Sequence, residues 1–459
     1  MENVEASNSN IEMIRGDPKV ALKKLAWPLI FTLVLNMVYN LVDRIWVAGL
    51  GAGPLAAIGF ILPIFMMISG IGNGFGSGAN SVISRYIGAK DKDNASNSAI
   101  HSILIGIVIS ILIPLLLLPF LGDLLVMMGA GNVLSYASDY ATIIILGSFT
   151  LVLNGILSSQ LRAEGDIKRA SRALIITGVL NMAIDPIFIY TFNLGVRGAA
   201  IATILSALVA TVLMFYWILV KKDTYVNVEG SYFKFSPTII REIISVAIPG
   251  TVEEVIMSSV AIMINATLAV IATTEVIAAY TAAWSIVDIA MMIPLGIATA
   301  AITVAGVAYG ARDIRRVDFV CNYSIKLSMI LVVVVFIVIE IFAPQIAMIF
   351  SYSSPGAFNG LVCDVLRILA LFILTVPAGI CCAFVFQAIG RGMISLILTI
   401  LREVVFVLIA LFILVDVMHL GAIGVYLCMT LGGLMGGIVA IVAFKYYIRK
   451  IEAFEGASI

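Results

Sequence analysis

Charge is scarce in this chain. Of its 459 residues only 12% are charged and 62% are hydrophobic, whereas an average soluble domain is about one-quarter charged. That much apolar sequence cannot be buried inside one water-soluble fold. Composition therefore excludes an ordinary soluble enzyme, a disordered chain and a secreted disulfide scaffold. Histidine is scarcer still: only His101 and His419 occur, which argues against a histidine-rich metal site. The five cysteines, Cys321, Cys363, Cys381, Cys382 and Cys428, show no metal-ligand spacing and mostly lie in apolar runs, as small buried hydrophobes do. Net charge is zero, so nothing indicates a nucleic-acid partner. The N-terminal stretch is polar and acidic rather than a cleavable signal peptide, so the first apolar run is expected to be a retained helix.

Long apolar runs are abundant. A membrane-spanning helix needs about 20 mostly apolar residues, and helices are expected because an open sheet edge cannot be satisfied in lipid. Twelve runs qualify, starting near residues 25, 55, 97, 138, 171, 198, 243, 277, 319, 362, 393 and 420. Lysine and arginine fall almost entirely on one set of loops, from Lys23 and Lys24 through Arg85, Lys90, Arg162, Arg169, Lys221 and Arg312 to Lys445 and Lys450. The opposite loops carry essentially only Arg197. Basic loops stay cytoplasmic. Both termini are therefore expected on the cytoplasmic side of the plasma membrane, which requires an even number of spans.

The chain also repeats itself. Leu55-Ala56-Ala57 recurs as Ile277-Ala278-Ala279, Gly88-Ala89-Lys90-Asp91 as Gly310-Ala311-Arg312-Asp313, and Leu194-Gly195 with Gly198 as Leu420-Gly421 with Gly424. Shared order and a nearly constant offset point to a duplication. The expected fold is an all-α polytopic membrane protein of twelve transmembrane helices in two pseudo-symmetric six-helix bundles. The segments are a cytoplasmic N-terminus (1–24), an N-lobe (25–220), a cytoplasmic linker (221–241), a C-lobe (242–445) and a cytoplasmic tail (446–459). Parallel six-helix halves with a site near their interface suggest a transporter working by alternating access.

A carboxylate at bilayer depth costs about 3 kcal/mol on insertion scales, so acids inside spans are informative. In the first span Asn36, Asn40 and Asp43, bordered by Tyr39, share one helical face. The fifth span repeats the device: Asn181 and Asp185 lie one turn apart, and Pro186 disrupts the bond to the Met182 carbonyl. Counted from the basic ends at 1.5 Å per residue, Asp43 and Asp185 both lie at about 20–27 Å depth. Two acids of one half at similar depth are candidates for one proton- or cation-coupling site. The alternative is a hydrogen-bonded helix clamp, or a pair with the adjacent Arg44. In the second half Glu253 and Glu254 follow Pro249, and one of these consecutive acids is expected to face the cavity. Asp288 is a further candidate. Asp364 and Arg367 are expected to form a structural ion pair, and Arg402 and Glu403 are ambiguous. The methionines are read mostly as packing residues, and the run from Gly70 to Gly78 as a surface for close helix packing rather than a phosphate loop.

At this point the chain resembles the multidrug and toxic compound extrusion (MATE) family. The resemblance extends from about Lys23 to Lys450. It rests on the two six-helix halves, on Pro28 and Asn36 through Asp43, on Ser84 through Ala89, on Arg162-Ala163-Glu164-Gly165-Asp166, and above all on Asn181 through Pro186. It implies a V-shaped exporter that exchanges H⁺ or Na⁺ for small organic, often cationic substrates. The likeness is strongest to the DinF-like branch, whose coupling acids sit in the N-lobe. Carried over by position, Asp43 and Asp185 are the coupling acids and Asn181 and Thr203 their polar support, the same four being the ligands if the ion is Na⁺. Tyr39 and Asn40 line the cavity, and Asn36, Glu253 and Glu254 complete the expected substrate cavity. No cofactor beyond the coupling ion and no partner beyond substrate and bilayer is implied, and a monomer is expected.

Three other readings compete. A lipid-linked oligosaccharide flippase would want arginine or lysine in the cavity. A major-facilitator symporter would carry an Asp-Arg-x-Gly-Arg pattern that the second-to-third loop lacks. A membrane-embedded enzyme would need a nucleophile–base pair or a metal set, and neither is evident.

Overall fold

The computed structural model describes residues 2–350 and 357–456. Residue 1 and residues 457–459, the extremes of the two expected terminal segments, lie outside it. Among the described residues there is no strand. Eleven helices among the described residues are long and apolar enough to cross a membrane. The count is twelve when Gly131–Leu146 and Ser148–Ala163, bent by 46°, are taken as one span. The first half comprises Pro18–Ala48, Ala52–Gly88, Lys92–Leu117, the bent fourth span, Ile167–Pro186 and Val196–Phe215. The second comprises Pro237–Ile271, Thr274–Gly310, Ile314–Phe350, a tenth span interrupted between Ala357–Ile373 and Val376–Ala388, an eleventh from Gly392 to Val417, and Gly421–Gly456. A short helix, Glu2–Arg15, precedes the first span, and the last helix continues through residues 446–456.

The repeated motifs mark helix boundaries. Lys90 and Arg312 both adopt positive φ, at 62° and 59°. The aspartate after each caps the next helix: Asp91 accepts the Asn94 N–H and Asp313 the Arg316 N–H. Gly165 and Gly390, each at φ 77°, turn the next loop of each half. The fifth and eleventh spans both end in a π-helical turn, Ile187–Thr191 and Phe412–Val417. Each is followed by a left-handed pair, Asn193 with Gly195 and His419 with Gly421. The same backbone exceptions in the same order make the duplication structural.

The two halves meet at the end that carries the termini and most basic side chains. One core cluster there spans both halves, joining Ile83 and Ile87 to Val304 and Phe386. Towards the opposite end the cores separate, into one around Ile61 and Ile144 and another around Tyr280 and Leu369. The result is a V closed at the basic end. Its seal is polar as well as apolar: Ser81 Oγ donates to the carbonyls of Gln387 and Ala388, and Arg85 pairs with Glu242 at 3.1 Å. The glycine run makes this contact possible. A Cβ on Gly74 or Gly78 would collide with the Ala247 or Ile243 carbonyl of the seventh span. The short N-terminal helix straps the seam, with Arg15 donating to the Ile87 carbonyl and Arg316 donating to the carbonyls of Ile14 and Arg15.

The linker lies against the first half. Backbone N–H groups of Tyr225 and Val226 donate to the buried Glu164, that of Lys234 to Asn97, and that of Ser236 to His101 Nε2. All five cysteines are buried and unbridged.

Candidate functional site: a central cavity with two polar side chambers

The first span passes its polar stripe from one chamber to the next. Its three stripe residues are spaced by one helical turn, so they project in one direction along an otherwise apolar helix. Asn36, Tyr39 and Asn40 line a central cavity of about 340 Å³. The opposite walls are Asn73 and Ser77 of the second span, Asn154 and Arg162 of the fourth, and Glu254 of the seventh. Tyr39 and Asn40 also line a smaller chamber of about 60 Å³, together with Asp43, Arg44, Tyr140 and Thr203. The Asn40 amide donates to the Asn36 carbonyl one turn back, which fixes its orientation.

Behind this chamber sits the fifth span. Asn181 and Asp185 are fully buried, and the Asn181 amide donates to Asp185 Oδ1 at 3.2 Å. Asp43 and Asp185 are electrostatic neighbours, and Tyr140 and Thr203 line the same small chamber, the Thr203 hydroxyl donating to the Ala199 carbonyl. One oxygen on each of three side chains, Asp43 Oδ1, Asp185 Oδ2 and Asn181 Oδ1, is buried without a hydrogen-bond partner. Buried acceptors are normally satisfied, so three orphans together call for a proton or a small cation. The donor set of two carboxylates, one amide oxygen and one hydroxyl suits a hard, oxygen-seeking ion. Among the described residues no group of three or more histidine, cysteine, aspartate or glutamate side chains could hold a metal ion.

The second half differs. Glu253 and Glu254 both reach a cavity, although as consecutive residues they stand on different faces of the helix. Glu254 lines the central cavity and also a side chamber of about 120 Å³, which Glu253 enters from the adjacent face. The cavity curls round the seventh span between the second, tenth and eleventh, so two faces of one helix meet it. Glu253 accepts from the Gln387 amide at 3.2 Å. Arg402 lines the same chamber and pairs with Glu403 at 2.8 Å. That arginine stands on a π-helical turn, Leu401–Val405, and Gly379 and Gly436 leave room for its side chain.

Two expectations are corrected. Arg367 reaches Glu340 of the preceding span, at 3.6 Å, rather than Asp364 one turn away, because a neighbouring helix offers the better-placed carboxylate. Arg162, counted among the loop residues that fix orientation, is in the last turn of the fourth span and lines the central cavity. The sequence reading also missed Tyr140, Asn73, Ser77 and Asn154. Ser69, Asn73 and Ser77, and likewise Asn154, Ser158 and Arg162, stand one turn apart and face the cavity, so their spacing carried a signal, whereas Tyr140 is marked only by convergence in space.

A two-bundle, twelve-span membrane protein with a polar cavity between its bundles is the architecture of a transporter. The MatE family profile matches residues 28–187 and 249–413, and the chain belongs to that family. It is 26% identical over 389 residues to the multidrug export protein MepA of Staphylococcus aureus strain MRSA252, covering 84% of this chain and 85% of that protein. Among solved structures it is similar to a MATE protein in complex with MaL6, at 36% identity with a TM-score of 0.94, covering 97% of this chain and 99% of that one. It is equally similar to the outward-facing conformation of a multidrug resistance MATE family transporter, at 36% identity with a TM-score of 0.93 and the same coverage. A third, a Pyrococcus furiosus transporter described as having a binding pocket of reverse polarity, is 36% identical with a TM-score of 0.92, covering 96% of this chain and 98% of that one.

Proposed function

We propose that this chain is a secondary active multidrug efflux antiporter. It exports small amphipathic, often cationic compounds through the central cavity in exchange for H⁺ or Na⁺ bound at Asp43 and Asp185. The basic end faces the cytoplasm of a cell whose plasma membrane the protein spans, and the protein works as a monomer. The observation that carries the reading is the trio of unpartnered buried oxygens on Asp43, Asp185 and Asn181, one wall away from the cavity. Placement of this pair in the N-lobe agrees with the DinF-like branch.

The coupling follows from the shared wall. Tyr39 and Asn40 line both chambers. A proton or Na⁺ entering the acid pair removes negative charge from behind that wall and satisfies the orphaned oxygens. A cationic substrate is then held less strongly, and the first span loses a reason to keep its present packing. Asn181 orients Asp185, and Thr203 and Tyr140 close the chamber. A ligand can shift the inward–outward equilibrium only by its difference in affinity for the two states, and this charge change supplies such a difference.

A flippase for lipid-linked pyrophosphates would want several cations in the cavity, and the central one holds a single arginine, Arg162. The deciding experiment is transport of an organic cation in proteoliposomes, with pH and Na⁺ gradients imposed separately, for the wild type and Asp43→Asn. Gradient-driven uptake in the wild type and its loss in the variant support the proposal. Wild-type rates in a normally inserted Asp43→Asn protein would overturn it.

A further inference from the structure

The central cavity carries two free charges of opposite sign, and the coupling chemistry uses neither. Arg162 stands at the basic end of the fourth span. Its guanidinium donates to Ser158 Oγ at 3.3 Å and to Ser159 Oγ, both neutral and on its own helix, and its Nε is buried without a partner. Among the described residues no carboxylate pairs with it; the nearby Glu164 is held by the linker backbone instead. A part-buried cation with no counter-ion is costly to maintain. Its backbone is engaged too, since the Arg162 carbonyl accepts the Thr303 hydroxyl of the eighth span at 3.1 Å. The helix end is thereby fixed against the other half.

Glu254 projects from the seventh span into the same cavity. Among the described residues its carboxylate has no hydrogen-bond or ion-pair partner. The two groups stand beyond ion-pair distance of each other, so the cavity presents a positive pole on the wall of the first half and a negative pole on the wall of the second. The amides of Asn36, Asn73 and Asn154 line the same cavity. Guanidinium groups bind carboxylates through charge-assisted N–H donors, and the Arg162 side chain lines the cavity with only two neutral hydroxyls as partners.

We infer that Arg162 is a carboxylate-recognising residue of the central cavity, opposed by Glu254, and that the preferred substrates are amphipathic zwitterions rather than simple cations. The assignment rests on the exporter reading and adds the charge pattern of its substrate. An acidic group docks on Arg162, a cationic group faces Glu254, and the apolar body lies against Leu29, Phe65 and Leu295. Complementary poles at both ends also reject monoanions, which would meet Glu254 unpaired.

The test uses two dyes with one fluorophore. Rhodamine 110 carries a free carboxylate beside its cationic ring system, and rhodamine 123 is its methyl ester. Fluorescence anisotropy measures binding of each to the purified full-length protein, for the wild type, Arg162→Gln, Arg162→Lys and Glu254→Gln. The expected result is tighter wild-type binding of the acid than of the ester. In Arg162→Gln the acid-to-ester affinity ratio should fall about tenfold or more, the size of a lost charged hydrogen bond. Arg162→Lys restores part of the ratio, which a merely structural loss would not do. Glu254→Gln weakens both dyes. A wild type that binds both dyes equally, or an Arg162→Gln protein with an unchanged ratio, overturns the carboxylate subsite and leaves the exporter reading standing. Failure of the wild type to bind either dye counts against both.

Discussion

The two lobes share a backbone plan and group their buried charges differently: two acids together in one, an acid beside an arginine–glutamate pair in the other. In the N-lobe, Asp43 and Asp185 face each other with an amide beside them, and three oxygens lack a donor. In the C-lobe, Glu253 accepts from Gln387 and Arg402 is paired with Glu403 inside a space kept open by Gly379 and Gly436, while Glu253 Oε1 and Arg402 Nε and Nη1 lack a partner. Compensated charge in a low-dielectric interior is static, because nothing is gained by adding or removing an ion. Uncompensated acids are the opposite, since their charge must be answered by something that comes and goes. The duplication thus copied an architecture and left the halves with different polar sites: an acid pair, proposed to cycle, in one and the Arg402–Glu403 brace in the other.

That contrast can be broken experimentally. The largest effect is expected at the N-lobe pair. Asp43→Asn or Asp185→Asn should lower gradient-driven transport by about 100-fold, the scale on which a group essential to one step acts, with normal membrane insertion. Next comes the brace. Arg402→Met leaves Glu403 buried without its partner and should destabilise the protein by about 3–5 kcal/mol, read as a lowered midpoint in thermal unfolding in detergent. Replacing Arg402 and Glu403 together by apolar residues should recover most of that loss. A smaller effect is expected for Glu253→Gln, which keeps a polar contact with Gln387 and should leave coupled transport within about threefold of the wild type. A collapse of transport in Glu253→Gln would mean that both lobes cycle.

The smallest effect concerns the linker clamp outside the membrane. Burial pushes the Glu164 carboxyl up to about 8, against the pull of two backbone N–H donors. A raised acid favours the folded state below its ordinary value, near 4.5. That stability is lost as pH rises through about 8. The melting midpoint of the wild type should therefore decline from pH 5 to pH 9 more steeply than that of Glu164→Gln. Parallel curves for the two proteins would remove Glu164 from the clamp.

Much of this contrast was legible in the sequence because membranes make polar residues conspicuous. Asn36, Asn40 and Asp43 stand out as a one-turn stripe on an apolar helix, and Asn181 with Asp185 repeat the spacing. The positive-φ loops at Lys90 and Arg312 were visible as a repeated Gly-Ala-basic-Asp phrase, although the reason for it, a left-handed turn followed by an aspartate cap, needed the backbone. Other features depend on tertiary convergence. Tyr140 meets Thr203 only because the fourth span bends at Gly147. Arg162 counted as a loop cation because it lies three residues from a turn, and only the packing of the eighth span against the fourth turns its helix end into a cavity wall. The choice of Glu340 over Asp364 by Arg367 is of the same kind, since helical spacing records neighbours on one helix and is silent about the next.

Asp43 and Asp185 are proposed to hold an exchangeable cation that substrate binding displaces. The most direct measurement is ion release on substrate addition to the purified protein, following pH in weakly buffered solution and bound ²²Na⁺ in parallel. The expected result is release of about one H⁺ or one Na⁺ per bound substrate in the wild type and none in Asp43→Asn. Substrate binding without release in the wild type, or equal release from the variant, would contradict it.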